Sequence, residues 1–262
     1  KFARQQRARM PQQRNVDAWL RAMYGRAQAG YARLDVALPD FDTFWERGLV
    51  EVPEPDHPIV AFSAFRDDPV AKPLNTPSGR IELFSAGIAA FGYDDCPGHP
   101  VWRAPVEYLG TARPGQLHLL SVQPATRLHS QMDMAPLSKA SKVQGREAIL
   151  IHTSDAAARG IAAGDVVRVF NARGACLAGA MLTDDLLAGV AVLPTGAWFD
   201  PLKRGVPGSL CVHGNPNVLT RDIGTSKLGQ GPSPQSCLVE IERFDGALPP
   251  ITVHHPPPME AA

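Results

Sequence analysis

A β-hairpin is predicted by the sequence Asp165-Val166-Val167-Arg168-Val169-Phe170-Asn171-Ala172-Arg173-Gly174, which continues into an apolar run from Ala175 to Leu182. β-Branched and aromatic residues fill the first strand, and Asn171 to Gly174 carry residue types that favour a tight turn. Further short apolar segments lie on either side of this hairpin: Leu117–Val122, Ala148–Ile151, Gly189–Pro194 and Cys237–Glu242. Because six or seven such strands accompany one small helix at Ser154–Arg159, we expect a closed β-barrel from Gln116 onward.

The chain before Gln116 has a different pattern. Residues 1–38 read as helical, with a proline-free run from Val16 to Ala29 that places apolar residues at helical spacing. Prolines interrupt residues 39–115 repeatedly, so only short elements are expected there. These are a helix at Phe41–Trp45 and strands at Ile59–Phe62 and Gly79–Phe84. The predicted class is therefore mainly β with short helices (α+β), in which a proline-rich, partly helical segment precedes the barrel.

Composition excludes several classes of protein. The 26 basic residues balance 26 acidic residues, and this zero net charge argues against a nucleic-acid partner. No apolar run approaches the roughly 18–20 residues that span a membrane. The four cysteines form no C-x-x-C pair, which argues against a zinc ribbon or a redox pair.

Two polar sequences suggest a ligand with many heteroatoms. The first, Val212 to Ser226, contains many donors and acceptors and little charge, including Asn215 and Asn217. The second, Ser121 to Gln131, directly follows a predicted strand, where ligand contacts are common. In it Arg127 offers a planar fork for phosphate, and Ser130 and Gln131 can pair with an aminopterin or purine edge. From these residues alone, the equal alternative is a polar turn in which Arg127 has a structural role.

The remaining candidates favour no reaction catalysed by side chains. His129 and His213 are read as hydrogen-bonding or packing residues, since neither has a convincing carboxylate partner in sequence. We predict no catalytic residue and no metal ligand, and a hydrolase that uses either histidine is the weakest hypothesis. Trp198 either walls a ligand slot or plugs the barrel, and the plug is preferred.

Six phrases, in order, resemble one family. The chain looks like part of the molybdopterin-dependent S- and N-oxide reductases of the dimethyl sulfoxide reductase family, most like the biotin sulfoxide reductases and next the trimethylamine N-oxide reductases. The resemblance runs from about Phe41 to Phe244. The phrases are Thr76–Glu82, Tyr93–Pro100, Arg127–Gln131, Asp165–Gly174, Gly196–Trp198 and His213–Thr220.

The resemblance implies a bis(molybdopterin guanine dinucleotide) molybdenum cofactor and a double-psi β-barrel that holds parts of both dinucleotides. It also implies three stretches that contact the cofactor: the loop from Gln123 to Gln131, the loop with Asn215 and Asn217, and Gln230-Gly231. Relatives often have His-Pro where this chain has Gln123-Pro124, and glutamine can still donate and accept. The expected cofactor contacts are Ser121, Gln123, Arg127, His129, Ser130, Gln131, Asn215, Asn217, Gln230 and Gly231.

The family's molybdenum-ligating serine lies far upstream of the matched phrases, so we expect this chain to be a fragment that is inactive alone. Residues 1–115 would then be the end of preceding catalytic domains and a connecting segment, 116–245 the cofactor-binding barrel, and 246–262 a flexible tail. The family's chemistry transfers oxygen from a small S-oxide or N-oxide, with biotin sulfoxide or methionine sulfoxide favoured, to Mo(IV).

The partners implied are the N-terminal remainder of the enzyme and an electron donor, either a protein or a reduced nucleotide. Relatives occur in the cytoplasm and the periplasm, and the cytoplasm is favoured. The alternative is a free-standing, non-catalytic barrel that binds a nucleotide-like ligand or a partner chain.

Overall fold

The computed structural model describes residues 15–54, 58 and 60–256. The chain divides into two compact units, Lys1–Ile81 and Glu82–Ala262. The described part of the first unit contains three helices, which are α1 (Val16–Ala32), α2 (Phe41–Arg47) and α3 (Ser63–Asp67). Residues 1–14 of the predicted helical segment lie outside the described residues.

Side-chain caps fix where the first two helices begin. Asn15 accepts a hydrogen bond from the Ala18 backbone at 2.9 Å, and Asp40 accepts one from the Thr43 backbone at 2.9 Å. Helix α2 ends at Gly48, whose φ of 76° suits glycine. The helix predicted at Phe41–Trp45 is therefore confirmed, and it extends two residues further.

The two strands predicted before the barrel are wrong. Phe62 has a left-handed φ of 62°, and helix α3 starts directly after it; Ile59 lies outside the described residues. Gly79 has a φ of 69° in a turn where its carbonyl accepts the Leu74 backbone N–H at 2.8 Å. Local turns therefore use backbone groups that a strand would offer to a neighbour.

Six strands close into a barrel in the order β1-β5-β2-β4-β3-β6. The pairs β1–β5 and β2–β4 are parallel and the other pairs are antiparallel. This mainly β, closed architecture confirms the predicted fold class, a double-psi β-barrel. The strands are β1 (Leu117–Leu120), β2 (Ala148–His152), β3 (Val166–Asn171), β4 (Gly174–Thr183), β5 (Val190–Val192) and β6 (Leu238–Arg243).

Alternating apolar residues fill the barrel interior. Leu117 and Leu119 of β1 are buried, as are Ile149 and Ile151 of β2, because every second side chain of a strand points to the same face. The predicted hairpin is confirmed, with Asn171 paired to Gly174. The short helix α4 (Ala86–Ala89) precedes β1, and two further short helices lie between strands: α5 (Pro136–Ala140) and α6 (Thr153–Ala157).

The parallel pairing of β1 and β5 positions two loops side by side. Both strands end at the same edge of the barrel, so residues 121–135 and 193–200 leave it together. The backbone N–H of Leu193 donates to Leu120 O at 3.0 Å, and that of Thr195 donates to Val122 O at 2.9 Å. The loop after β1 is thus fixed against the loop after β5.

Part of the predicted flexible tail is bonded to the barrel. Asp200 accepts the backbone N–H groups of Thr252 and Val253 at 2.6 and 3.0 Å, and the Arg146 guanidinium donates to Pro249 O at 2.7 Å. No sequence pattern predicted these contacts, and residues 257–262 lie outside the described part. No helix among the described residues has the length and apolar composition that crossing a membrane requires.

Candidate functional site

A cleft lies where the loops after β1 and β5 meet residues 215–222 and 232–235. It consists of two adjoining pockets of about 700 and 390 Å³, which share His129, Thr195 and Asn217 as lining residues. The cleft brings together six of the predicted contact residues: Ser121, Gln123, His129, Ser130, Asn215 and Asn217.

Two glutamine side chains hold the loop that begins this cleft. Gln123 donates through Nε2 to His129 Nδ1 at 2.6 Å and accepts the His129 backbone N–H at 3.0 Å. Gln235 accepts the Ser121 N–H at 3.0 Å and donates to Ser121 O at 2.8 Å. His129 is therefore tied to its own loop, and its φ of 50° is stabilised by these contacts.

Gly196 allows the loops after β1 and β5 to touch. A Cβ atom at this position would lie 1.8 Å from His129 O, and the φ of 95° is one that only glycine adopts readily. Glycine is thus required here by space as well as by conformation.

Trp198 forms a wall of the smaller pocket. Its indole Nε1 donates to Ser130 O at 2.7 Å, and its side chain is half-buried. The expectation that Trp198 plugs the barrel is therefore wrong, because the β5 loop carries the indole outside the packed interior. Its hydrogen bond holds Ser130 at the cleft.

Of the two roles that the sequence left open for Arg127, the geometry favours the structural one over a phosphate contact. Its side chain is fully buried and donates to His129 O, Ser138 Oγ and Thr195 O at 3.0–3.2 Å. It also pairs with Glu147 at 3.0 Å. Because all arms of the guanidinium are engaged inside the protein, Arg127 fixes the cleft loops and offers no open fork to a phosphate.

Arg127 is one of four buried charged residues that form a closed ring of ion pairs, the charge ring. Lys142 Nζ lies 2.9 Å from Asp133 and 2.7 Å from Glu147, and both carboxylates also face Arg127. Two positive and two negative groups cancel, which lowers the cost of burying them. Burial raises the pKa of Asp133, but the Lys142 ammonium and other donors outweigh it and lower that pKa to about 2.

His213 packs against this charge ring. Its Nδ1 lies 3.1 Å from Trp198 O, and burial together with the nearby Lys142 charge lowers its pKa to about 4. Among the described residues, its Nε2 has no hydrogen-bond partner. His213 is thus a neutral, buried residue that contacts the backbone of the cleft residue Trp198.

Asp133, His213 and His254 place possible ligand atoms within 4.8 Å of one another. Asp133, however, is already neutralised by Lys142 at 2.9 Å and is approached by Arg127 at 3.5 Å. A divalent cation would add two positive charges beside these two buried cations, so the charge distribution opposes a metal ion here.

Asn215 and Asn217 lie on a short turn at the cleft. Asn215 Oδ1 accepts the Asn217 N–H at 2.9 Å and so caps the turn Pro216–Val218. Asn217 is exposed and lines both pockets, which leaves its amide side chain facing the cleft. The turn therefore uses one asparagine for its own structure and presents the other.

Gln131, Gln230 and Gly231 are not among the residues that line the two pockets. Gln230 donates to Ser226 O at 2.8 Å, and Gly231 O accepts the Thr225 N–H at 3.0 Å within the same loop. Lys227 ties this loop to Asp94 and Asp95 at 2.6 and 2.9 Å. Gln131, Gln230 and Gly231 therefore lie beside the cleft rather than on its wall.

Sequence reasoning missed several residues of the cleft wall. Arg221 and Asp222 supply its charges, and Thr195, Thr220, Ser233 and Gln235 supply further polar groups. Thr220, Arg221 and Asp222 belong to the polar sequence Val212–Ser226, so that signal could have found them. Gln235 is isolated in sequence and reaches the cleft only because β6 pairs with β1.

Known proteins match this chain over the region just described. Residues 117–238 match the family model of the molydopterin dinucleotide binding domain. The biotin sulfoxide reductase of Cereibacter sphaeroides is 50% identical over 235 residues, which cover 89% of this chain and 31% of that protein. Trimethylamine-N-oxide reductase 1 of Escherichia coli (strain K12) is 49% identical over 242 residues, covering 89% of this chain and 28% of that protein.

A solved structure shares the fold. Acetylene hydratase from Pelobacter acetylenicus superposes with a TM-score of 0.52 at 19% identity, covering 68% of this chain and 25% of that chain. The present chain thus spans about three tenths of the length of the relatives it matches. Residues 117–238 therefore match the molydopterin dinucleotide binding domain family, in a chain that is similar to biotin sulfoxide and trimethylamine N-oxide reductases.

Proposed function

We propose that the cleft holds a molybdopterin guanine dinucleotide, as one of two in a bis(molybdopterin guanine dinucleotide) molybdenum cofactor. The observation that carries this proposal is the meeting of Ser121, Gln123, Ser130 and Asn217 at one cleft, although they come from two separate polar sequences. The family match to residues 117–238 supports the same ligand.

The chemistry of the lining fits such a ligand. Hydroxyl and amide groups of Ser121, Ser130 and Asn217 can donate to and accept from the edges of a pterin or a purine. Arg221 brings a positive charge for a pyrophosphate, and the Asp222 carboxylate can accept the N–H groups of a guanine edge. Gly196 allows two loop backbones to approach closely at this surface.

In this proposal the chain binds and orients the cofactor. Ser121, Gln123, Ser130 and Asn217 contact it from the cleft wall, whereas the buried Arg127 and Gln235 hold the cleft loops in place. The bound molybdenum centre supplies the two-electron oxygen transfer from an S-oxide or N-oxide, since the protein's share in such chemistry is binding, orientation and electrostatics. No residue of the chain is assigned as an acid, base or nucleophile.

We further propose that the chain functions within a longer S- or N-oxide reductase, with biotin sulfoxide or methionine sulfoxide as the favoured substrate. The fraction of each relative that it covers supports this, as does its 50% identity to a biotin sulfoxide reductase. Residues 116–245 act as the cofactor-binding unit, the preceding residues connect it to the remainder of the enzyme, and an external donor supplies electrons. The chain alone is expected to be inactive.

A reductase assay tests this function. The full-length protein, loaded with cofactor, is given an artificial low-potential reductant and a panel of biotin sulfoxide, methionine sulfoxide, dimethyl sulfoxide and trimethylamine N-oxide. We expect turnover of at least one S-oxide, and none by residues 1–262 alone. A protein that contains molybdenum and guanine nucleotide but reduces no member of the panel contradicts the assigned reaction.

A further inference from the structure

We propose that His254 is a positioning residue for the cofactor cleft. It holds the cleft wall in place through its contacts with Asp133 and Trp198. It does so as part of a strap, defined here as residues 249–254. This inference rests on the proposed function, because it assigns the strap a role in holding that cofactor.

The strap is attached to the barrel at three points. Pro249 O accepts from Arg146 at 2.7 Å, and Asp200 accepts the Thr252 backbone and hydroxyl at 2.6 and 2.8 Å. The third point is His254, whose Nε2 donates to Asp133 Oδ2 at 3.1 Å. The first two attachments therefore deliver the imidazole of His254 to a buried carboxylate.

Asp133 relays this contact to the cleft. The same oxygen, Oδ2, accepts the Trp198 backbone N–H at 3.2 Å, while Oδ1 binds Lys142 at 2.9 Å. The Trp198 indole then donates to Ser130 O at 2.7 Å. Ser130 and Trp198 both line the smaller pocket, so a continuous series of hydrogen bonds joins the strap to the cleft wall.

Ring packing reinforces the series. The His254 imidazole meets the Trp198 indole edge-on at 5.6 Å and His213 edge-on at 5.0 Å. It is 13% exposed and does not line either pocket, so it acts on the cofactor only through its neighbours. Its loss leaves Asp133 Oδ2 with fewer donors and leaves one face of Trp198 without support.

The test compares three variants of the full-length protein. His254→Ala removes the contact, and His254→Gln retains an amide donor. His255→Ala is the matched control, since His255 is exposed and its backbone N–H donates to Thr252 O at 2.9 Å, a bond that alanine keeps. Two quantities are measured: the rate at which guanine nucleotide and molybdenum leave the protein, and amide hydrogen exchange in residues 126–134 and 195–200.

We expect His254→Ala to lose cofactor about tenfold faster, as one hydrogen bond to a charged group is worth about that factor. Exchange should rise in the two cleft segments and stay unchanged in β3 and β4. His254→Gln should recover most of both effects, and His255→Ala should match the wild type.

Faster exchange in His254→Ala with normal cofactor retention overturns the positioning role, as does unchanged exchange in both segments. If the wild-type protein carries no guanine nucleotide, the proposed function has failed. The exchange measurement then still decides whether His254 holds the cleft wall.

Discussion

Gly196 lies against the carbonyl oxygen of His129, so closely that a Cβ atom at position 196 would be 1.8 Å from it. This contact joins the loop after β5 to the loop after β1 at the wall of the cleft. Both loops are positioned by the parallel pairing of their strands. The cleft therefore depends on backbone proximity as well as on its polar side chains.

Replacing Gly196 with alanine should distort the cleft. The new Cβ would overlap backbone, which cannot move as a flexible side chain does, so the loops must separate. We expect guanine nucleotide content of the purified protein to fall at least about fivefold, with a loss of stability beyond the roughly 1–2 kcal/mol that a left-handed φ costs alanine. Gly205→Ala is the control, since Gly205 has a φ of 73° and no atom within 4 Å of its ideal Cβ. Equal behaviour of the two variants would show that proximity to His129 is unimportant.

Replacing Asn217 with alanine should lower cofactor content and leave stability nearly unchanged. The Asn217 backbone N–H and carbonyl keep their partners in the variant, and the lost amide faces the cleft. We expect about a tenfold weaker hold on the nucleotide, the value of roughly one good hydrogen bond. Asn75→Ala, an exposed position in the first unit, serves as the control. Full occupancy in Asn217→Ala would remove this residue from the assigned contacts.

Arg127 should matter for stability before it matters for binding. Arg127→Ala leaves Glu147 and Asp133 buried with one cation fewer, which we expect to cost about 3–5 kcal/mol. Arg127→Lys should recover little, because an ammonium cannot reach His129 O, Ser138 and Thr195 together. The exposed pair Arg168–Glu242 supplies the control, where Arg168→Ala should cost less than about 1 kcal/mol in the same unfolding measurement. A similar small cost for Arg127→Ala would disprove the structural role.

Acid should destabilise the protein through His213. Its pKa is about 4 in the folded state against 6.5 ordinarily, so the unfolded chain binds the proton first as the pH falls. The free energy of unfolding should be unaffected by this group above pH 6.5 and should decrease between pH 6.5 and 4, by up to about 3 kcal/mol.

His213→Asn should remove this part of the pH dependence, and His255→Asn should not. Asp133 acts in a lower range, since its depressed pKa gives stability that is present above its ordinary 3.8 and is lost as the pH falls through about 2. Urea titrations at about pH 7 and about pH 4.5 separate the two groups. Of the two, only His213 differs in protonation between the folded and unfolded states to an extent that changes over that interval. If the free energy of unfolding changes equally with pH in the wild type and in His213→Asn, the acid sensitivity does not come from His213.

The barrel could be predicted from sequence because its strands alternate locally. Residues such as Leu117 and Leu119, or Val167 and Val169, carry a period of two that is visible without any tertiary information. The strands expected at Ile59–Phe62 and Gly79–Phe84 were predicted from the same kind of local pattern, and they are wrong. Phe62 and Gly79 have a left-handed backbone conformation that interrupts these apolar runs, and an apolar pattern does not reveal it.

The cleft was partly predictable. Ser121, Ser130 and Asn217 follow strands or lie in polar runs, and this local signal is enough to find them. A structural role for Arg127 was one of two predicted alternatives, but the sequence could not select it, because its partners Thr195 and Glu147 lie far along the chain. Gln235 and His254 reach the site only after the barrel has closed, so sequence position alone gives no indication of them.

The cofactor assignment is tested most directly by chemical analysis of the purified full-length protein. Acid hydrolysis releases the nucleotide part, and guanosine monophosphate and molybdenum are then measured per protein molecule. We expect two guanosine monophosphates for each molybdenum in the wild type, with a marked loss of both in Gly196→Ala. A wild-type protein that is active as a reductase but carries no guanine nucleotide would rule out the cofactor assignment.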